Sequence, residues 1–372
     1  MKKIKVALIA GKMVGGGVES LLMSISEYID KDKFEVDLLV DNDSKLVPEE
    51  ELKRYGINLI FIPPYQNIFS YLYKLRILFL RNNYDIVHSN ISTLNVFPLS
   101  IAYFCRVPVR ISHNHNLLSP NAGKLKNALK WFLSYFSNMF PNYCIAPTHE
   151  TGKWVFKNKD FDIIKNGITP KKFIFDKTKR LELRKSIGVE ENTILLGSFG
   201  RMVHSKNLIV TIKVLEQLLG SSNRYKLLLV GSGNDEIRLK KYVQGKNVLK
   251  NKVIFVPSQK DVSSYYSALD FYLFPSAAEA FGIAAIEAQT NGLITLVSRG
   301  VPDEAEVSDK LFKKFKNYDT RVWSNFILST DKLSVQTRKN LSMKLKDVVF
   351  NSKNMVNEIE ELYINAYKEQ VE

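Results

Sequence analysis

The chain has 372 residues, 45% of them hydrophobic and 24% charged, and carries a net charge of +15. That length suits about two domains, each with its own core, and the excess of base calls for an anionic partner: nucleic acid, an anionic membrane surface or a phosphorylated substrate. Two distant cysteines, Cys105 and Cys144, offer neither a metal spacing nor a disulfide framework, and no uncharged apolar run reaches the about 18 residues of a spanning helix.

MKKIKVALIAGK opens with basic residues before an apolar run, as a signal peptide does. That run is only Val6 to Ala10 and leads into glycine, so a first β-strand over Ile4 to Ile9 is expected instead. Gly11 and the triplet Gly15-Gly16-Gly17 follow, then a helix from Val18 to Ile29. Strand, glycine loop and helix form a ligand cradle, although GGG is not a full dinucleotide fingerprint. Strands Glu35 to Val40 and Asn58 to Ile62 flank an acidic helix, Pro48 to Tyr55. Repeated alternation of this kind predicts an α/β domain with a mainly parallel sheet.

An aromatic-rich helix, Ile68 to Leu80, precedes strand Tyr84 to His88; helix Leu94 to Phe104 precedes strand Val109 to Ser112, which ends at His113-Asn-His115. Between Pro120 and Pro141, helical spacing puts Leu125, Leu129, Phe132, Tyr135, Phe136 and Met139 on or near one side. Residues 65–147 hold eight Lys/Arg (Lys74, Arg76, Arg81, Arg106, Arg110, Lys124, Lys126, Lys130) against one acid, Asp85. Basic residues among aromatics on amphipathic helices describe a membrane-surface patch. The plainer alternative is a core-facing helix with a solvated basic back.

Ile163 to Ile168 reads as a strand meeting a turn, and the charge-rich stretch from Thr169 to Glu191 as a domain boundary. A second α/β unit then runs through strand Ile194 to Phe199, helix Asn207 to Leu219, strand Lys226 to Val230, Gly231-Ser-Gly233 with a helix through Tyr242, strand Val253 to Val256 and helix Val262 to Leu269. Strand FYLF follows, then Pro275-Ser276, a loop with Glu279 and Gly282, and a helix from Ile283 with Glu287 inside it. After Leu293 to Val297 the pattern is irregular until helices within Leu333 to Val349 and Asn354 to Glu369.

In FPSAAEAFGIAAIEAQTN, glycine beside a helix start leaves N–H groups and a positive dipole end open to phosphate, and two acids flank it. In GRMVHSKN, Arg201 and Lys206 stand five apart in a strand-to-helix loop and can converge on one anion. Taken singly, each has a bland reading: a solvated loop acid, a surface helix acid, two exposed bases. His113 could donate to or polarise a hydroxyl, or be an ordinary hydrogen-bonded histidine. His113 and His115 share a strand face, yet no third ligand with suitable spacing is visible, so no metal is expected.

GRMVHSKN, LVGSGNDEIRL, VPSQKDVSSYYSALDFYLFPS and EAFGIAAIE, in that order, resemble the C-terminal half of retaining glycosyltransferases of family 4, including their Glu-x₇-Glu spacing at Glu279 and Glu287. GGGVE, YDIVHSN, RISHNHN and NGITPKKF look like the bacterial capsule and exopolysaccharide branch, and the similarity covers nearly the whole chain. Two departures stand out: Ala280 where the family usually has glycine, and Ser298 to Glu304 without the double glycine of the wider family.

The resemblance implies the GT-B fold, two Rossmann-like domains facing across a cleft. Residues 1–168 would form the N-terminal acceptor-side domain, 169–352 the donor domain, and 353–372 a helix crossing back. Arg201 and Lys206 would hold the donor diphosphate without a metal, Glu279 the hexose and Glu287 the ribose. Gly282 and neighbouring backbone amides would complete the phosphate cradle, and Gly15, Gly16 and Gly17 would approach the donor phosphates or the acceptor from the facing domain. His113 would lie near the sugar, and Pro257 to Lys260 beside the base. The implied activity is a metal-independent, retaining hexosyl transfer from a nucleotide-diphosphate sugar, of the UDP kind, with no cofactor. Its acceptor would be a lipid-pyrophosphate-linked saccharide at the inner face of the cell membrane, reached by a cytoplasmic, peripheral enzyme that binds no nucleic acid. The competing readings are an epimerase of the same fold and a non-catalytic membrane or nucleic-acid binding protein.

Overall fold

Short apolar runs bounded by turn residues become strands buried on both faces, which is why they read as nearly continuous hydrophobic stretches. The computed structural model describes residues 2–13, 16–45, 47–117, 124–259, 261–347 and 350–371, and of 124–126 the backbone only. The first half runs β1 (Ile4–Gly11), α1 (Gly17–Tyr28), β2 (Phe34–Asp41), α2 (Glu49–Arg54), β3 (Asn58–Ile62), α3 (Ile68–Asn82), β4 (Ile86–Ser89), α4 (Val96–Phe104), β5 (Val109–His113), α5 (Lys124–Phe136), β6 (Tyr143–Ala146), α6 (His149–Phe156) and β7 (Asp162–Ile163). These strands pair in the order β3-β2-β1-β4-β5-β6-β7, all parallel.

Alternation along the strands sorts side chains into two layers. Val6, Leu8 and Leu38 pack with Leu22 and Ile25 of α1. Ala7, Ile9 and Leu39 pack with Tyr71 and Leu75 of α3 and Leu99 of α4.

The second half runs α7 (Lys177–Ser186), β8 (Ile194–Phe199), α8 (Ile209–Ser221), β9 (Tyr225–Val230), α9 (Glu236–Gln244), β10 (Val253–Val256), α10 (Ser263–Ala268), β11 (Phe271–Phe274), α11 (Ile283–Thr290), β12 (Ile294–Ser298), β13 (Phe312–Phe315), α12 (Thr320–Leu328), α13 (Val335–Leu345) and α14 (Ser352–Val371). Its sheet is β10-β9-β8-β11-β12-β13, again parallel throughout. Both halves are thus Rossmann-like.

The chain divides into two compact units: residues up to Ile168 together with those from Phe350 onward, and residues 169–347. Ile168 N–H donates to Phe350 O and Ser352 N–H to Ile168 O, both at 2.8 Å, tying the start of α14 to the end of the first segment. Met355, Val356, Ile359, Tyr363 and Ala366 of α14 then complete the first core.

Three regions differ from expectation. YCIA and the following HETGKWVF form β6 and α6, where no element was expected. The charge-rich stretch after Thr169 contains a helix, α7, capped by Asp176. Its charges are structural: Arg180 Nη2 lies 2.6 Å from Asp270 Oδ1 and Arg184 Nη1 3.3 Å from Oδ2, all buried. The irregular stretch beyond Val297 holds β13 and α12, whose Trp323 is fully buried against Phe315.

The face of α5 also departs from the core-facing alternative. Leu129, Trp131, Phe132 and Tyr135 are each more than half exposed, while Leu133, Ser134 and Ser137 turn inward. The side chains of Leu125, Lys124 and Lys126 lie outside the described residues.

Candidate functional site

In an open parallel sheet, ligands bind beyond the strand C-termini where the order of connection reverses. The second sheet reverses between β8 and β11, which pair directly through Phe271 with Leu196 and Tyr272 with Gly197. The loops leaving these strands carry GRMVHSKN and PSAAEAFG, so two stretches separated by nearly 70 residues in sequence emerge side by side. Ala277 N–H donates to Ser205 O at 2.8 Å, joining the loops, and Glu279 N–H donates to Gly300 O at 2.8 Å.

Lys206 Nζ lies 2.5 Å from Glu279 Oε1, with both side chains largely buried. Lys206 also lies 5.4 Å from the centre of the Phe274 ring. Arg201, in the same loop, is exposed and makes no side-chain hydrogen bond or ion pair with the described residues. Its flanks are pinned: Gly200 N–H donates to Val230 O and Met202 N–H to Ser232 O, each at 2.9 Å. This contact requires Gly231, because a Cβ there would stand 1.9 Å from Gly200 O.

Gly282 ends the loop at φ +86° and caps α11, its place set by Val301 and Ala305, which a Cβ would meet at 3.1 Å. One turn into α11, Glu287 is partly buried and accepts a 2.7 Å hydrogen bond from the Tyr266 hydroxyl. Burial raises its carboxyl to about 7, with repulsion from Asp261 adding to the rise and the Tyr266 bond opposing it. The Tyr266 phenol, buried beside that acid, is held well above its ordinary value. Lys206, Glu279, Gly282 and Glu287 therefore occupy one crest of the second unit: a cation and an anion in contact, a helix start, and an acid whose carboxyl burial raises. Pro257 to Gln259 lie beyond β10, and Lys260 lies outside the described residues.

The first sheet reverses between β1 and β4. Gly16 and Gly17 lie where the chain enters α1, and Gly15 is outside the described residues. At the ends of β4 and β5, His88, His113 and His115 are buried together. His88 Nδ1 is 2.6 Å from the Tyr363 hydroxyl and its Nε2 is 3.2 Å from His113 Nδ1. His115 Nε2 is 2.9 Å from Asn90 Oδ1, and the His113 and His115 rings are 3.9 Å apart. Burial drives His88 and His115 down to about 3, and holds His113 well below its usual range with the neighbouring histidines adding to the effect. All three are neutral near pH 7.

The sequence reading missed His88, Asn90, Tyr266 and Tyr363. His88 and Asn90 had a signal, since they end YDIVHSN on the strand next to the one carrying His113. Tyr266 and Tyr363 had none beyond apolar helical spacing. Among the described residues, no group of three or more His, Cys, Asp or Glu could hold a metal ion, and no helix is long and apolar enough to cross a membrane.

Residues 15–172 match the model of Glycosyltransferase Family 4, and residues 179–319 that of Glycosyl transferases group 1. The chain is 23% identical over 382 aligned positions to the Escherichia coli UDP-Gal:alpha-D-GlcNAc-diphosphoundecaprenol alpha-1,3-galactosyltransferase, covering 98% of this chain and 97% of that protein. It is 22% identical to the Staphylococcus aureus capsular polysaccharide biosynthesis glycosyltransferase CapH, covering 97% and 99%. Among solved structures, Anabaena Alr3699/HepE in complex with UDP-glucose matches 97% of this chain and all of that one, with a TM-score of 0.81 at 18% identity. The two family models, these relatives and the fold together support a glycosyltransferase of GT-B type.

Proposed function

We propose that this glycosyltransferase moves a hexose, with retention at the anomeric carbon, from a nucleotide-diphosphate sugar of the UDP kind to a lipid-linked saccharide in capsule or exopolysaccharide synthesis. The observation that carries the reading is the contact of Lys206 with Glu279 at the switch point of the second sheet, beside the start of α11.

Lys206 and Arg201 would neutralise the diphosphate as the anomeric C–O bond breaks, so that leaving-group charge is met by side chains already in place. Glu279, released from Lys206 by the incoming diphosphate, would accept hydrogen bonds from hexose hydroxyls, and Glu287 would bind the ribose diol. Retention without a protein nucleophile follows if the acceptor oxygen bonds to the anomeric carbon on the face the diphosphate leaves, its proton passing to a departing phosphate oxygen. His113, uncharged near neutrality, would act as a hydrogen-bonding group rather than a cationic acid. Gly16 and Gly17, at the start of α1, would lie near donor phosphate or acceptor.

A lipid-linked acceptor is supported by the name of the Escherichia coli relative, which acts on a diphosphoundecaprenol-linked sugar. The exposed aromatic face of α5 suits a peripheral site on the inner membrane surface of a cytoplasmic enzyme. Glu279→Gln tests the central assignment: hexose transfer from UDP-sugars to membrane lipid should collapse while the melting temperature stays within a few degrees. Transfer at the wild-type rate removes Glu279 from the reaction.

A further inference from the structure

The hydrogen bonds around the buried histidines determine where each proton sits. Tyr363, fully buried on α14, has one hydrogen-bond partner among the described residues, His88 Nδ1. If the phenol accepted a proton from His88, its own O–H would be left buried without an acceptor. The satisfied arrangement has Tyr363 donating, which places the His88 proton on Nε2. That proton faces His113 Nδ1 at 3.2 Å, so His113 accepts there and carries its own proton on Nε2.

Asn90 does the same for His115. Its amide nitrogen approaches two carbonyl oxygens, Ile9 O and His88 O, each at 3.4 Å, so the amide oxygen is the atom turned to His115. His115 must donate from Nε2, leaving Nδ1 a bare acceptor. Two buried atoms of this cluster have no hydrogen-bond partner among the described residues: His113 Nε2 and His115 Nδ1. By the reasoning above, one is a donor and the other an acceptor, on rings 3.9 Å apart. A hydroxyl group both accepts and donates, and so complements the pair.

We propose that Tyr363, acting through His88, is a positioning residue that holds His113 as the Nε2–H tautomer, so that His113 and His115 together offer one donor and one acceptor to a single hydroxyl. The hydroxyl being that of a sugar rests on the glycosyltransferase reading; the proton arrangement does not. All three rings are neutral, so Tyr363 selects a tautomer and leaves the charge unchanged.

The test uses the full chain labelled with ¹⁵N-histidine, in which two-bond and three-bond ¹H–¹⁵N correlations report the protonated nitrogen of each ring. In the wild type, His88, His113 and His115 should each be protonated on Nε2. Tyr363→Phe keeps the ring that packs edge-on to Phe34 and removes only the hydroxyl. It should let His88 protonate on Nδ1, convert His113 to a mixed or Nδ1–H form, and leave His115 unchanged. Transfer kcat should fall about tenfold, as for one mis-set hydrogen bond. A wild-type His113 protonated on Nδ1 overturns the proposal, even if the variant fails to fold. An unchanged His113 tautomer in Tyr363→Phe overturns the role of Tyr363, whatever happens to activity. Should the tautomers behave as stated while no UDP-sugar is consumed by either protein, the proton arrangement stands and the reading of the reaction fails.

Discussion

Glu287→Gln separates stability from binding at one atom. Glu287 sits one turn into α11 with a carboxyl raised from 4.5 to about 7, chiefly by burial. A carboxyl raised in the folded state contributes its full stability below its unfolded value and loses it as pH rises through the folded value. Wild type and Glu287→Gln should therefore be equally stable near pH 4.5. Above pH 7 the wild type carries a buried charge, and the rise corresponds to a ceiling of about 3 kcal/mol. The amide still offers an oxygen to the Tyr266 hydroxyl, so the substitution removes the charge and keeps the hydrogen bond. At about 2–4 °C per kcal/mol for a unit of this size, the variant should melt on the order of 5–10 °C higher than wild type at pH 8. That gap should close toward pH 5. Affinity for UDP-glucose, whose diphosphate keeps its charge over this range, should move the other way. It should strengthen through pH 7 in the wild type as the carboxylate forms to accept both ribose hydroxyls, and stay flat in Glu287→Gln. Differential scanning calorimetry and titration calorimetry at pH 5 and pH 8 measure both. A melting gap that is the same at both pH values refutes the reasoning.

Gly282→Ala adds a Cβ at φ +86° and 3.1 Å from Val301 and Ala305, and should cost about 1–2 kcal/mol in urea unfolding; an unchanged midpoint would show that the cap of α11 tolerates a side chain. Replacing Leu129, Phe132 and Met139 together by serine, all more than half exposed, should weaken binding to anionic liposomes at least about tenfold without lowering the melting temperature. Equal binding would remove the proposed membrane role of this exposed face.

Most strands were legible because burial on both faces makes them apolar throughout, as in Val6 to Ile9 and Leu227 to Val230. Elements held by other means were not. In α7, arginines are drawn inward by Asp270, so a packed helix reads in sequence as a charge-rich domain boundary. In β13 two lysines interrupt the phenylalanines, masking a strand whose neighbour is buried. At the site, local motifs pointed to Lys206 and Glu279 separately. Their contact depends on β8 pairing with β11 across a crossover, which no local pattern encodes. The histidines show the same limit: His113 is visible in its strand, while the tyrosine governing it lies 250 residues away.

The first unit is discontinuous, closed by α14, whereas the described residues of the second all lie between Thr169 and Asp347. On the ribosome, the second unit can therefore fold as it emerges, while the first sheet waits with one flank uncovered where Met355, Ile359 and Tyr363 will lie. Because Tyr363 arrives with that last helix, a nascent chain lacking it carries all three histidines but no hydroxyl to order their protons. A chain truncated before α14 should accordingly expose apolar sheet and call on chaperones, and it should be inactive even where its donor-side residues are correctly folded.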